Sequence, residues 1–111
     1  MMARFKYDDS VNLLYSSLVS ILNRDFDKAA YQLKKYSGSD PRMRSGIDFY
    51  SGVINLLEGD KRSAMEFLKN ATGEKGVFCF LSNIWLAALY ALDGDVYNFI
   101  RAKGSMTRCL F

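Results

Sequence analysis

Three aspartates recur at a constant interval of 35 residues: Asp25, Asp60 and Asp95. Carboxylates can share general acid and base work when two lie roughly 5–10 Å apart, or hold a cation when several oxygens surround it. A carboxylate that appears once per repeat sits at equivalent places in successive units, so these three are not expected to converge. Their local context suggests another task. Each lies three residues after a leucine, in Leu22-Asn23-Arg24-Asp25, Leu57-Glu58-Gly59-Asp60 and Leu92-Asp93-Gly94-Asp95, and two follow a glycine directly. Glycine ends a helix by entering the left-handed region, and aspartate caps the next by accepting a backbone N–H. The recurring acid therefore reads as the cap at the corner of a helical hairpin, used three times. Asp93 and Asp95 together supply too few oxygens for a metal site.

Other chemistry has little to stand on. The chain has no histidine, no GxSxG, no P-loop and no glycine-rich phosphate cradle, which points away from an enzyme and from a cofactor. Cys79 and Cys109 are the only cysteines. Without CxxC spacing or histidine they do not suit zinc, and they read as reduced thiols of a cytosolic chain. Cys79 lies in an apolar run and is expected to be packed; Cys109 lies in the tail, where its exposure and reactivity stay open. Fifteen basic residues give a net charge of +3, but their longest clusters are the pairs Lys34-Lys35 and Lys61-Arg62. No basic stripe favours nucleic acid. The longest apolar run, residues 77–92, is shorter than the roughly 20 residues of a spanning helix and contains Ser82 and Asn83, so stable membrane insertion is not expected. Residues 1–9 carry no secretory apolar core, and Cys109-Leu110-Phe111 is not a prenylation box.

The elements that carry the caps are all helical in pattern. Half of the 111 residues are hydrophobic and only Pro41 is proline, which suits one all-α domain. A frayed start (residues 1–9) precedes the domain at 10–104, with repeats at about 10–40, 41–76 and 77–104 and a tail at 105–111. Asp8, Asp9 or Ser10 caps a first helix, whose apolar residues Val11, Leu14, Tyr15, Leu18, Ile21 and Leu22 keep helical spacing. Helix two, residues 25–36, turns Phe26, Ala29, Ala30, Leu33 and Tyr36 inward. Gly38 stops it, and Asp40 with Pro41 starts helix three, which runs to Leu57. Gly46 and Gly52 within that helix mark the close approach of another backbone. Helix four, residues 60–71, faces inward through Ala64, Met65, Phe67 and Leu68. Helix five, residues 77–92, is apolar nearly all round and should be the most buried. Helix six, from 95 to about 103, is amphipathic through Val96, Phe99, Ile100 and Ala102, and Gly104-Ser105 ends it.

The hairpins align by sequence. Tyr15, Tyr50 and Trp85 share a phase, as do Val19, Ile54 and Leu89; Ala29 matches Ala64, Leu33 matches Leu68 and Lys34 matches Lys69. The third hairpin breaks these last matches with Phe99, Lys103 and Gly104, as a terminal repeat does when one face lacks a neighbour. A period in the mid-thirties is the signature of stacked helix pairs.

Asp25-Phe26-Asp27-Lys28-Ala29 with Leu33 and Pro41 resembles the second half of a tetratricopeptide (TPR) repeat. Gly59-Asp60 with Ala64 and Leu68 resembles it again, and Gly94-Asp95 does so more weakly. Gly52 and Ala87 fall at that family's small-residue position and Tyr90 at its tyrosine position. Arg24 and Ser17 depart from the pattern, and no proline closes the second repeat. The likeness covers roughly residues 10–104. It implies three antiparallel helix hairpins stacked as a short right-handed α-solenoid. In size and arrangement the chain also resembles the small TPR-like chaperones of bacterial type III secretion, those of needle subunits above all, through runs such as Leu18-Val19-Ser20-Ile21-Leu22-Asn23-Arg24-Asp25-Phe26. That resemblance implies a cytoplasmic virulence chaperone that keeps a secreted, polymerising subunit monomeric, often beside a small helical co-chaperone.

In a TPR stack the first helix of each pair lines the concave surface. Those phases select Val11, Leu14, Leu18 and Ile21, then Gly46, Phe49, Val53 and Leu56, then Leu81, Ile84, Ala88 and Ala91. None is charged or polar, so a clamp for a C-terminal carboxylate is disfavoured. An apolar groove suits the apolar face of an amphipathic helix; the plain alternative for each residue is core packing. The expected partner-binding residues are Val11, Leu14, Leu18, Ile21, Phe49, Val53, Leu56, Leu81, Ile84 and Ala88. On this reading, Phe49→Asp or Leu18→Asp weakens binding while the chain stays helical. The competing reading is a structural subunit in a permanent homo- or hetero-oligomer, with membrane attachment through residues 77–92 a third.

Overall fold

The computed structural model of the chain describes residues 16–36 and 44–110. Among them are six helices and no strand: α1 (residues 16–22), α2 (Phe26–Tyr36), α3 (Arg44–Leu57), α4 (Lys61–Ala71), α5 (Val77–Leu92) and α6 (Val96–Leu110). The all-α expectation holds. The frayed start, the first cap, Tyr15 and the Gly38–Pro41 junction lie outside the described residues.

The three corners repeat one hydrogen-bonding pattern. Arg24, Gly59 and Gly94 all take positive φ, at 62°, 89° and 75°. Their N–H groups donate to the carbonyls of Ile21, Leu56 and Ala91, and the following aspartate N–H groups reach back to Ser20, Asn55 and Tyr90 at 2.8–2.9 Å. This double bond pattern is the Schellman closure of a helix end. Each aspartate carboxylate then accepts an N–H from three residues on: Lys28 at 3.3 Å, Ser63 at 3.1 Å and Asn98 at 3.2 Å. The carboxylates cap helices, as their spacing predicts.

One corner is under local strain. Arg24 holds a left-handed backbone that a Cβ disfavours by about 1 kcal/mol, and its exposed guanidinium over the Phe26 ring, 5.4 Å from the centroid, offsets part of that. Arg24→Gly is expected to raise the unfolding free energy by about 0.5 kcal/mol, while Gly59→Ala lowers it by about 1 kcal/mol. Urea melts of the two variants check this, and shifts of the same sign would refute it.

Consecutive helices pack as pairs. The α3–α4 and α5–α6 contacts are the most extensive, and α2 on α3, α4 on α5 and α3 on α5 connect the pairs. The pairs approach closely where side chains are small. A Cβ on Gly52 would lie 2.9 Å from Leu68 Cγ and 3.1 Å from the Ala64 carbonyl oxygen, so α3 and α4 cross with a backbone against the glycine, as expected. Gly46 differs: the group over it is the Phe78 ring, not a backbone. Ala29 and Ala64 are fully buried at equivalent crossings.

The third pair departs from the sequence expectation in three ways. First, α6 does not end at Gly104-Ser105 but continues to Leu110. A helical glycine costs only about 1 kcal/mol, and the added turns bury Cys109 and pack Met106 on the core. Second, this extension joins Cys109 to Cys79 in a disulfide. The cysteines are therefore paired, not separate thiols, and Cys109 is buried. The Cys109 carbonyl also accepts the Gly76 N–H at 2.9 Å, and the Asn83 amide lies 3.1 Å from Cys109 Sγ. Third, Phe99, at the phase of Ala29 and Ala64, is half-buried against the core and not enclosed as those alanines are. Ala102 and Cys109 face α5 instead, and Val96 and Ile100, expected inward, are 65% and 60% exposed.

Helix five is likewise not covered all round. Cys79, Ser82, Asn83, Leu86, Ala87 and Leu89 are buried, but Val77, Ile84, Ala88, Ala91 and Leu92 are exposed. It is no more enclosed than α3, which also buries six residues. Among the described residues, no helix is long and apolar enough to cross a membrane.

Candidate interaction surface

The expected partner-binding residues fall into three groups. Val11 and Leu14 lie outside the described residues. Ile21, Phe49 and Val53 are buried, with 5%, 7% and 9% of their surface exposed; they are core residues and present no open groove. Leu18, Leu56 and Leu81 are half-buried, while Ile84 and Ala88 are exposed.

The repeat explains the sorting. Phe49 and Val53 on α3 occupy the phases that Ile84 and Ala88 occupy on α5. The face of α3 is covered by the next pair. Trp85 meets the Phe49 ring edge-on at 6.0 Å between centroids, and Phe78 lies 5.8 Å from Phe49 and 5.7 Å from Tyr50. Such ring pairs contribute about 0.5–1.5 kcal/mol each beyond the area they bury. No further pair follows α6 among the described residues, so the same phases on α5 stay open.

Sequence reasoning missed other exposed apolar residues of this pair. Leu92 is 82% exposed at the corner, and Val96, Tyr97 and Ile100 follow on α6. The signal was present in the broken matches of the third hairpin, where Phe99, Lys103 and Gly104 replace the alanine, leucine and lysine of the earlier ones, so that α6 buries a different set of residues.

The charges around the last pair are uneven. No residue of α5 is charged, and α6 carries Arg101, Lys103 and Arg108, all exposed, with no carboxylate. Of the acids that flank the two helices, Asp93 pairs with Lys61 of the preceding hairpin, Asp95 caps α6, and Glu74 is exposed just ahead of α5. The Asn98 side-chain amide, 2.7 Å from Asp95 Oδ2, holds that carboxyl below its usual range, and the Asn98 backbone N–H adds to the effect.

Two clefts offer polar groups elsewhere. One, of about 340 Å³, opens between α2, α3 and α4 and is lined by Leu33, Lys34, Ile47, Asp48, Ile54 and Phe67 among others. Burial raises the Asp48 carboxyl above its usual range, opposed by the Arg44 guanidinium. The other lies between α1 and α2, where the Ser20 hydroxyl donates to Gln32 Oε1 at 3.1 Å. Among the described residues, no three of His, Cys, Asp and Glu gather as metal ligands. The last pair provides exposed apolar side chains on two helices that carry no carboxylate of their own; contiguous apolar patches are common at interaction sites.

Comparison of the chain with known protein families, curated proteins and solved structures returned no match.

Proposed function

We propose that the chain is a protein-binding chaperone or adaptor built as a short TPR-like solenoid, which sequesters an amphipathic helix of a partner. The observation that carries this reading is the open apolar surface of the last pair, at phases that the second pair buries against its neighbour. An apolar patch of this kind is a common mark of a protein interaction site. Three identically bonded corners at a 35-residue period support the stacked-hairpin arrangement. The likeness to type III secretion chaperones supplies the specific version: cover the apolar stripe of a secreted subunit, and its self-association stops.

Burial of Ile21, Phe49 and Val53 confines the binding surface to fewer residues than the full set of first-helix phases. Such a chaperone would act in the cytoplasm, where thiol buffers keep most cysteines reduced. Pairing of Cys79 with Cys109 withdraws the argument that two separate thiols made for that compartment. The same apolar surface would suit a permanent oligomer.

The test is purification of the tagged chain from native cells, followed by mass spectrometry and light scattering. A stoichiometric helical polypeptide that is monomeric in the complex and polymerises when released supports the chaperone. A partner-free symmetric oligomer, or no partner at all, overturns it.

A further inference from the structure

We propose that the Cys79–Cys109 disulfide is a redox-operated clasp on the end of α6. A thiol reductant entering the cleft beside the bond opens it and releases residues 104–110, about two helical turns, from the start of α5. The rest of the helical stack stays folded. The switch works without any partner.

The end of α6 has few holds besides this bond. Among the described residues past Ala102, Cys109 alone is buried; Met106 is half-buried on the core, and Gly104, Thr107, Arg108 and Leu110 are exposed. The hydroxyls of Ser105 and Thr107 donate within α6 itself, to the carbonyls of Arg101 and Gly104. The two hydrogen bonds that reach this segment from the start of α5, from the Gly76 N–H and the Asn83 amide, both end on Cys109. A segment this short does not hold a helix by itself. Gly104 marks the hinge: glycine is a poor helix former, and a Cβ there would meet nothing within 4 Å, so packing does not require a glycine at that place.

The bond is shielded yet reachable. Cys79 and Cys109 expose 5% and 2% of their surface, but both line an open cleft of about 280 Å³ together with Thr72, Asn83, Ser105 and Arg108 among others. A dithiol supplies the two electrons. Its first thiolate attacks one sulfur, forms a mixed disulfide and expels the other cysteine as a thiolate, which takes up a proton. Its second thiolate attacks the mixed disulfide, closes the reductant's own disulfide and frees the remaining cysteine, which is protonated in turn. The dithiol is oxidised and both cysteines end as thiols. With the bond open, the conformational entropy of the last turns is opposed by Met106 and the contacts of one cysteine, and the end comes away. Reoxidation closes the clasp again.

Hydrogen exchange of the full chain, read by mass spectrometry before and after dithiothreitol, tests the clasp, with thiol alkylation reporting the state of the bond. Once reduced, the amides of residues 104–110 are expected to exchange at least about tenfold faster, while those of α3 and α4 stay protected; reoxidation restores the slow rates. Cys109→Ser is expected to show the released end with or without reductant. Gly104→Ala is expected to slow exchange in the reduced chain by up to about fivefold, because alanine favours the helix. A reduced chain whose residues 104–110 keep their oxidised protection overturns the proposal. So does protection lost together in α3, α4 and α6, since the bond then holds the whole fold and not its end. A bond that dithiothreitol opens only in denaturant rules out the cleft as the entry, and equal exchange in reduced wild type and Gly104→Ala removes Gly104 as the hinge.

Discussion

Truncating Phe49 to alanine is expected to lower the unfolding free energy by about 4 kcal/mol, a loss of the size seen for large rings in cores. Phe49 is 7% exposed and its ring touches those of Tyr50, Phe78 and Trp85. Its removal opens a cavity between the second and third pairs and takes away an edge-on ring contact with Trp85 and tilted ones with Tyr50 and Phe78. Chemical denaturation followed by circular dichroism measures it. A loss below about 1 kcal/mol would mean that the two pairs do not bury each other there. This replaces the expectation that Phe49→Asp only weakens partner binding. A carboxylate at a position this enclosed loses its hydration without gaining a partner, so it should unfold the chain. The variant that separates binding from folding is on α5, at Ala88.

Replacing Cys109 by serine is expected to lower the unfolding free energy by about 3 kcal/mol under oxidising conditions. The bond closes a loop with a sequence separation of 30, and for loops of this length the chain-entropy model places the stabilisation near 3–4 kcal/mol. The effect should show as a lower midpoint in guanidinium chloride. Reductant should lower the wild-type midpoint to about the same value and leave Cys109→Ser unmoved. Non-reducing peptide mapping provides an independent reading. A wild-type midpoint indifferent to reductant, with free thiols on mapping, would show that the bond is not formed in solution. The fraying site would be the junction of α6 with the start of α5, where the Gly76 N–H meets the Cys109 carbonyl.

The corners were legible because they depend on neighbours in sequence. Left-handed glycine and a short acceptor side chain act within six residues, so Gly59-Asp60 and Gly94-Asp95 announced themselves, and Arg24-Asp25 could be found by the period although its residue type is unfavourable. The small crossing residues were legible for a similar reason: Gly52, Ala29 and Ala64 keep a fixed offset from each corner. The exposed face was not. Phe49 and Ile84 share a phase and both are apolar, and nothing local distinguishes a residue that another helix covers from one that is left open.

The sequence by itself determined an all-helical chain, its three capped corners and the apolar phases of each helix, since these follow from backbone sterics, capping and periodicity over one or two turns. The tertiary structure decided which of those phases are buried, how far α6 runs and that Cys79 meets Cys109. These outcomes depend on residues of different helices, such as Phe49 and Phe78 or Cys79 and Cys109, that meet only in the folded chain. Lys103 stands at the phase where Leu33 and Leu68 are buried, so α6 buries Ala102 and Cys109, keeps Phe99 half-buried against the core and turns Val96 and Ile100 out. Exposure of an apolar side chain is a property of the neighbours that pack on it, and those neighbours are chosen by the whole fold.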